Sequence, residues 1–250
     1  MMPETRDLLT LPVREAEAFT RAGIKLLPKA RAVLAANRTR AIVIPGGTGM
    51  ARLINLAHWQ VDHHLEYLDE AAVNADQLIH FAAHQVMACV LGCEDAHALL
   101  LAETFASALD LFLLGKLIGA GEETEFLVET VESFGAYCDL YGKGPVQLEA
   151  LLTRIRDDPF ASMAAAADYL YRVAEILLTS QVVAETAAGL AALASDPLYP
   201  LIHHYNVVNW VLAIRVRYPT IGEPPYHLAR ARKLFWTDEA SFLQHFRPPE

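Results

Sequence analysis

The sequence predicts a mainly helical α+β fold, with a small β element near residues 40–60. Three observations carry that expectation. Long stretches repeat apolar residues at helical spacing and stop at glycine, asparagine or proline. A β-branched run followed by a turn signal occurs only around residues 40–49. Apolar residues make up 54% of the 250-residue chain against 20% charged, enough to bury one large core.

Taken in order, residues 12–36 show helical spacing and end at Asn37. Arg40-Ala41-Ile42-Val43-Ile44-Pro45 reads as a strand that stops at Gly46-Gly47-Thr48-Gly49, and residues 50–59 form a weaker extended segment. Residues 69–91 form a helix closed by Gly92, and residues 96–118 form another closed by glycines at 119 and 121. Residues 122–141 open with acidic side chains, which favour a helix N-terminus, and run into the 142–145 turn. A shorter helix over 146–156 breaks at Asp157-Asp158-Pro159. An Ala-rich helix over 160–195, a helix over 201–218, a loop at 219–225 and a helix over 226–246 complete the reading. There is no internal repeat and no low-complexity linker, so a single domain over 1–250 is expected, with 142–145 as its one internal seam.

Charge narrows the function. The formal net charge is −10 and only five lysines are present, which argues against a nucleic-acid partner bound through a basic surface. Three cysteines, Cys89, Cys93 and Cys138, form no CxxC pair, so neither a disulfide framework nor a Cys-rich zinc module is expected. The first residues scatter charges and lack an apolar signal core. Residues 77–93 carry no full charge, but they hold two His and two Gln and fall short of a membrane span. A buried helix and a cytoplasmic setting without a membrane partner are expected. A small-molecule or peptide ligand is the expected partner, and the oligomeric state stays open.

Ten histidines in a charge-poor chain point to metal chemistry. His80-Phe81-Ala82-Ala83-His84 places two imidazoles four residues apart on one helix face. Eighteen residues separate His84 from Glu103, the length needed to finish one helix, turn at Gly92 and return alongside it. His80, His84 and Glu103 are therefore the candidate metal ligands, a three-ligand set that leaves a position open for water or substrate. Asp76, one turn before His80, is the candidate partner behind the ligands.

This HxxxH-x18-E arrangement resembles the gluzincin metallopeptidases of the M1 aminopeptidase type, whose pattern is HExxH-x18-E. The run Ala102-Glu103-Thr104-Phe105-Ala106-Ser107-Ala108-Leu109-Asp110 is similar to the phrase around the third ligand in that family. The resemblance covers roughly residues 45–115 and implies a zincin-like core over about 40–141, a helical C-terminal part over about 145–250 and zinc as cofactor. It also implies a Gly-rich substrate edge at Gly49 and Met50, and an oxyanion-stabilising tyrosine at Tyr169 or Tyr171. Phe81 stands where the family carries its catalytic glutamate. A phenyl ring cannot deprotonate a metal-bound water, and acid–base catalysis alone contributes about 10²–10⁴-fold. A repurposed metal-dependent enzyme is therefore expected rather than an active peptidase. Glu66, Glu94 and Asp76 are the candidate replacements for the missing base, and Phe81 becomes a pocket residue.

Other readings stay open. Two His and one carboxylate also form the facial triad of non-haem Fe(II) oxygenases, for which an apolar Phe81 keeps the site dry. Glu94-Asp95-Ala96-His97 is an ExxH element of the di-iron type, with Glu125, Glu129, Glu132 and His203-His204 as further donors, although no second ExxH exists. A non-catalytic pseudo-peptidase that retains only a peptide groove is the third. His58 and Asp62-His63-His64 read as solvated turn residues, and Gly46–Gly49 lacks the lysine of a phosphate loop.

Overall fold

The computed structural model describes residues 4–44, 55, 64–92, 95–180, 182–222 and 238–247. The fold is mainly helical with a small mixed sheet, as the helical periodicity predicts. Strand β1 (Glu4–Asp7) pairs antiparallel with β3 (Arg40–Val43), and β3 pairs in parallel with β4 (Leu65–Leu68). Two short strands, β2 (Val13–Arg14) and β5 (Val73–Asn74), form a separate parallel pair. On the central strand, Ala41 and Val43 point inward, as the two-residue period requires. On β4 the same alternation buries Leu68 and, on the same face, Glu66. The extended segment at 50–59 lies outside the described residues, apart from Asn55. The Asn55 side-chain amide bonds both the N–H and the carbonyl of Tyr67, standing in for a strand neighbour.

Strand β5 leads directly into α3 (Ala75–Leu91), after α1 (Ala16–Arg21) and α2 (Leu26–Ala36). The start of α3 is a capping box, in which Asn74 accepts from the third helical N–H and the Gln77 side chain accepts from Asn74 N–H at 3.0 Å. Gly92 closes α3 at φ +59°, a left-handed backbone that favours glycine. Asp95 caps α4 (Ala96–Ala120), which returns antiparallel to α3 and ends at Gly121. Helix α4 is long and apolar enough to cross a membrane by length and composition, yet 83% of its apolar window is buried inside the protein. A helix apolar on every side needs neighbours all round. Here α3, α5 (Glu125–Leu140), α6 (Gly144–Asp157) and α7 (Pro159–Thr179) pack against it.

Closest approach falls at Gly115, where a methyl group would sit 2.3 Å from the Ile155 carbonyl oxygen and 2.9 Å from Pro159 Cβ. The chain continues through α8 (Val183–Leu193), α9 (Leu201–His204), α10 (Val207–Arg217) and α11 (Glu239–His245). Phe242 of α11 lies against Phe105, Phe112 and Phe160 with ring centroids 5.7, 6.0 and 6.3 Å away. One contiguous apolar cluster runs from Leu8 to Phe246.

Several element boundaries differ from the sequence reading. The 12–36 segment is a short strand and two helices divided at Gly23, whose φ of +70° ends the first. The 69–91 helix begins six residues later, because residues 65–68 and 73–74 are drawn into strands. The 160–195 helix divides where Ser180 turns extended, and Arg215 donates to the carbonyls of Leu177, Leu178 and Ser180 at that end. Asn206 at φ +52° divides the 201–218 segment in two. Of the 226–246 helix, the described part is α11.

Candidate functional site

Helices α3 and α4 bring the predicted ligands to one cavity. Asp76, His80 and His84 follow one another at four-residue spacing on α3, so they form a single stripe. Glu103, Ser107 and Asp110 form the facing stripe on α4, at spacings of four and three. Because the helices run antiparallel, the early stripe of α3 meets the late stripe of α4. His80 Nδ1 accordingly lies 3.3 Å from each carboxylate oxygen of Asp110. A carboxylate only accepts, so Nδ1 carries the proton and Nε2 holds the ring's lone pair. The His84 ring stands edge-on to that of His80, with centroids 4.9 Å apart, and is itself buried.

The cavity between these helices, β4, α5 and α10 has a volume of about 760 Å³. That size suits a small molecule. It is also strongly acidic, with eight carboxylates and one guanidinium lining it among the described residues. The guanidinium, that of Arg14, pairs with Glu70. Asp76 Oδ1 is shut from solvent and has no hydrogen-bond partner among the described residues. Burial first, and the nearby charge of Asp110 second, push its carboxyl from 3.8 up to about 7. A helix N-terminus favours a carboxylate by about 0.3–1 kcal/mol, which is too little to offset burial of this size.

The opposite wall carries hydroxyls and rings. Glu125, Glu129, Ser133 and Tyr137 share a face of α5 and line the cavity, with Tyr205 and Trp210 beyond them. His204 Nδ1 lies 2.8 Å from Ser133 Oγ, and its ring meets Phe134 edge-on at 4.7 Å. Its neighbour His203 bonds Tyr141 instead, and burial lowers its pKa.

Of the residues singled out by sequence, His80, His84, Glu103, Asp76, Phe81 and Glu66 all line this one cavity. Tyr169 and Tyr171 do not: both are buried on α7, and the Tyr169 hydroxyl donates to the Leu193 carbonyl at 3.4 Å. Burial raises the Tyr169 pKa, as packing in a core does. His97 sits at the start of α4 with Nε2 donating to the Gly222 carbonyl at 2.9 Å, and it is not among the lining residues. Glu94, Gly49, Met50, His58 and His63 lie outside the described residues. His64, just before β4, is exposed. Sequence reasoning missed Asp110 as a partner of His80. The signal was available, since Asp110 lies two helical turns beyond Glu103 on the same face.

Among the described residues, no three His, Cys, Asp or Glu side chains are gathered closely enough to hold a metal ion as they stand. No protein-family model, curated protein or solved structure compared with the chain matches it.

Proposed function

We propose that the chain is a metal-dependent protein that binds a divalent ion through His80 and His84, with Glu103 as the third donor. The observation that carries this reading is the His80–Asp110 pair. A ligating histidine characteristically gives its other ring N–H to a carboxylate, which fixes the tautomer and raises the basicity of the coordinating nitrogen. His84 lies one turn away on the same face, and Glu103 faces the same cavity from α4. Among the described residues these side chains are not gathered at ligand distances, so metal binding requires them to draw together. Zinc suits two imidazoles and a carboxylate, and would supply Lewis-acid polarisation of a bound ligand.

Phe81 lines the cavity beside these groups, where peptide hydrolysis would need a carboxylate. This favours a repurposed metalloenzyme over a working peptidase. The same apolar ring, with Phe126 and Trp210 also facing the cavity, supports iron(II) as the second reading, since oxygen chemistry at a 2-His-1-carboxylate centre needs no adjacent base. Elemental analysis of protein purified without a His tag tests both. Zinc or iron is expected in the wild type, and its loss is expected in His80→Ala and Glu103→Ala. Metal content unchanged by either substitution would overturn the assignment.

A further inference from the structure

A hydroxyl within a helix usually turns back to its own backbone. In this chain Thr20 and Thr179 do so, each donating to the carbonyl four residues earlier at 2.8 Å. Ser133, in the middle of α5, does not follow them. Its Oγ lies 2.8 Å from His204 Nδ1, a side chain 71 residues further along the sequence. Two rings fix the plane of that imidazole, Phe134 edge-on at 4.7 Å and Tyr205 edge-on at 4.6 Å. Both Ser133 and His204 line the cavity, so the pair is open to a bound molecule.

From this geometry we infer that Ser133 and His204 are a nucleophile and its base, and that they hydrolyse small, uncharged carboxylic esters. A serine hydroxyl is a weak nucleophile until an adjacent base takes its proton, and the two must stand within about 2.6–3.2 Å. Imidazole suits that task because its charge changes near neutral pH. Ser133 Oγ attacks the ester carbonyl carbon while its proton passes to His204 Nδ1. The bond to the alcohol oxygen then breaks, and the alcohol leaves with that proton. Water attacks the acyl-serine and gives a proton to the same nitrogen. The acid departs as Ser133 takes the proton back. The lining offers hydroxyl and amide donors, on Tyr137, Asn206 and Asn209, for the oxygen that gains charge in both steps. Substrate charge follows from the eight lining carboxylates, which repel an anionic ester and drive out the carboxylate product. The reaction shares the cavity with the metal reading but does not depend on it.

A fluorophosphonate probe tests the pair in the unaltered full chain, with chelator-treated protein digested after labelling and mapped by mass spectrometry. The phosphonyl adduct is expected on Ser133, and the same sample should hydrolyse 4-nitrophenyl acetate. Ser133→Ala should abolish the adduct and lower hydrolysis at least about 100-fold, and His204→Gln should slow labelling and hydrolysis together by about 100-fold. Ser195→Ala, at an exposed position, should change neither. A folded wild type without an adduct on Ser133, or hydrolysis that requires added zinc and survives Ser133→Ala, would overturn the inference. Bound zinc without the adduct overturns this inference alone; the adduct without zinc binding overturns the metal reading alone.

Discussion

Replacing Asp76 with asparagine should stabilise the metal-free protein, with a gain that grows above about pH 4 and is complete just above neutral pH. The Asp76 carboxyl is raised from 3.8 to about 7, by burial and then by the charge of Asp110. Because the folded-state value exceeds the unfolded one, the native state holds a proton that the unfolded chain has released. Stability is therefore unaffected by this group below about pH 4, falls as pH rises toward 7, and stays reduced above it. At about 1.4 kcal/mol per unit, the full shift corresponds to roughly 4 kcal/mol. Asp76 as a residue keeps some exposure although Oδ1 has none, so screening reduces the expected effect to about 2 kcal/mol. The losses specific to asparagine are smaller, because a carboxylate in the first helical turn contributes only about 0.3–1 kcal/mol. Urea unfolding of chelator-treated wild type and Asp76→Asn at about pH 5 and about pH 8 measures the difference directly. About two thirds of that effect lies above pH 5, so the variant should gain about 1 kcal/mol relative to wild type between the two conditions. A difference independent of pH, or a variant that weakens as pH rises, would refute the reasoning.

Other consequences follow from packing and from the site. Gly115→Ala should cost about 3 kcal/mol or prevent folding, since its methyl group meets backbone at Ile155, and backbone cannot move aside as a flexible side chain can. Thermal unfolding checks it, and a change within about 0.5 kcal/mol would contradict the close approach of α4 to the α6–α7 junction. Arg215→Ala should cost about 2 kcal/mol, because one guanidinium nitrogen serves three carbonyls at the end of α7 at 2.7–3.0 Å. Asp110→Asn should leave the fold intact and lower zinc affinity by about 10–100-fold, by loosening the orientation of His80. Unaltered affinity in a competition assay would separate Asp110 from any role at the ligand.

Helices were legible in the sequence where a glycine stop and periodicity agree, as at Gly92 and Gly121, whereas the cap formed by Asn74 with Gln77 was missed and the helix was expected from residue 69. Their pairing was legible too, because His80, His84 and Glu103 have the spacing of an antiparallel hairpin, and all three line one cavity. The strands were harder. Glu4-Thr5-Arg6-Asp7 has no apolar alternation and becomes an edge strand only through its partner β3. Leu65-Glu66-Tyr67-Leu68 turns a glutamate inward, against the usual pattern, because a polar cavity lies beneath it. The breaks at Ser180 and Asn206 interrupt apolar periodicity that runs straight through them. Of the far wall, Glu125, Glu129 and His204 were named from sequence as possible donors and do line the cavity, but the rings beside them were not legible. Tyr137, Tyr205 and Trp210 reach the cavity through contacts distant in sequence, which spacing along one chain does not encode.

Zinc titration of chelator-stripped protein, followed by calorimetry, tests the central claim most directly. One zinc per chain is expected, with His84→Ala weakening it by more than the roughly 10–100-fold expected for loss of a supporting group behind a ligand. Stoichiometric zinc binding of equal affinity in wild type and His84→Ala, or no zinc binding by the folded wild type, would contradict the account.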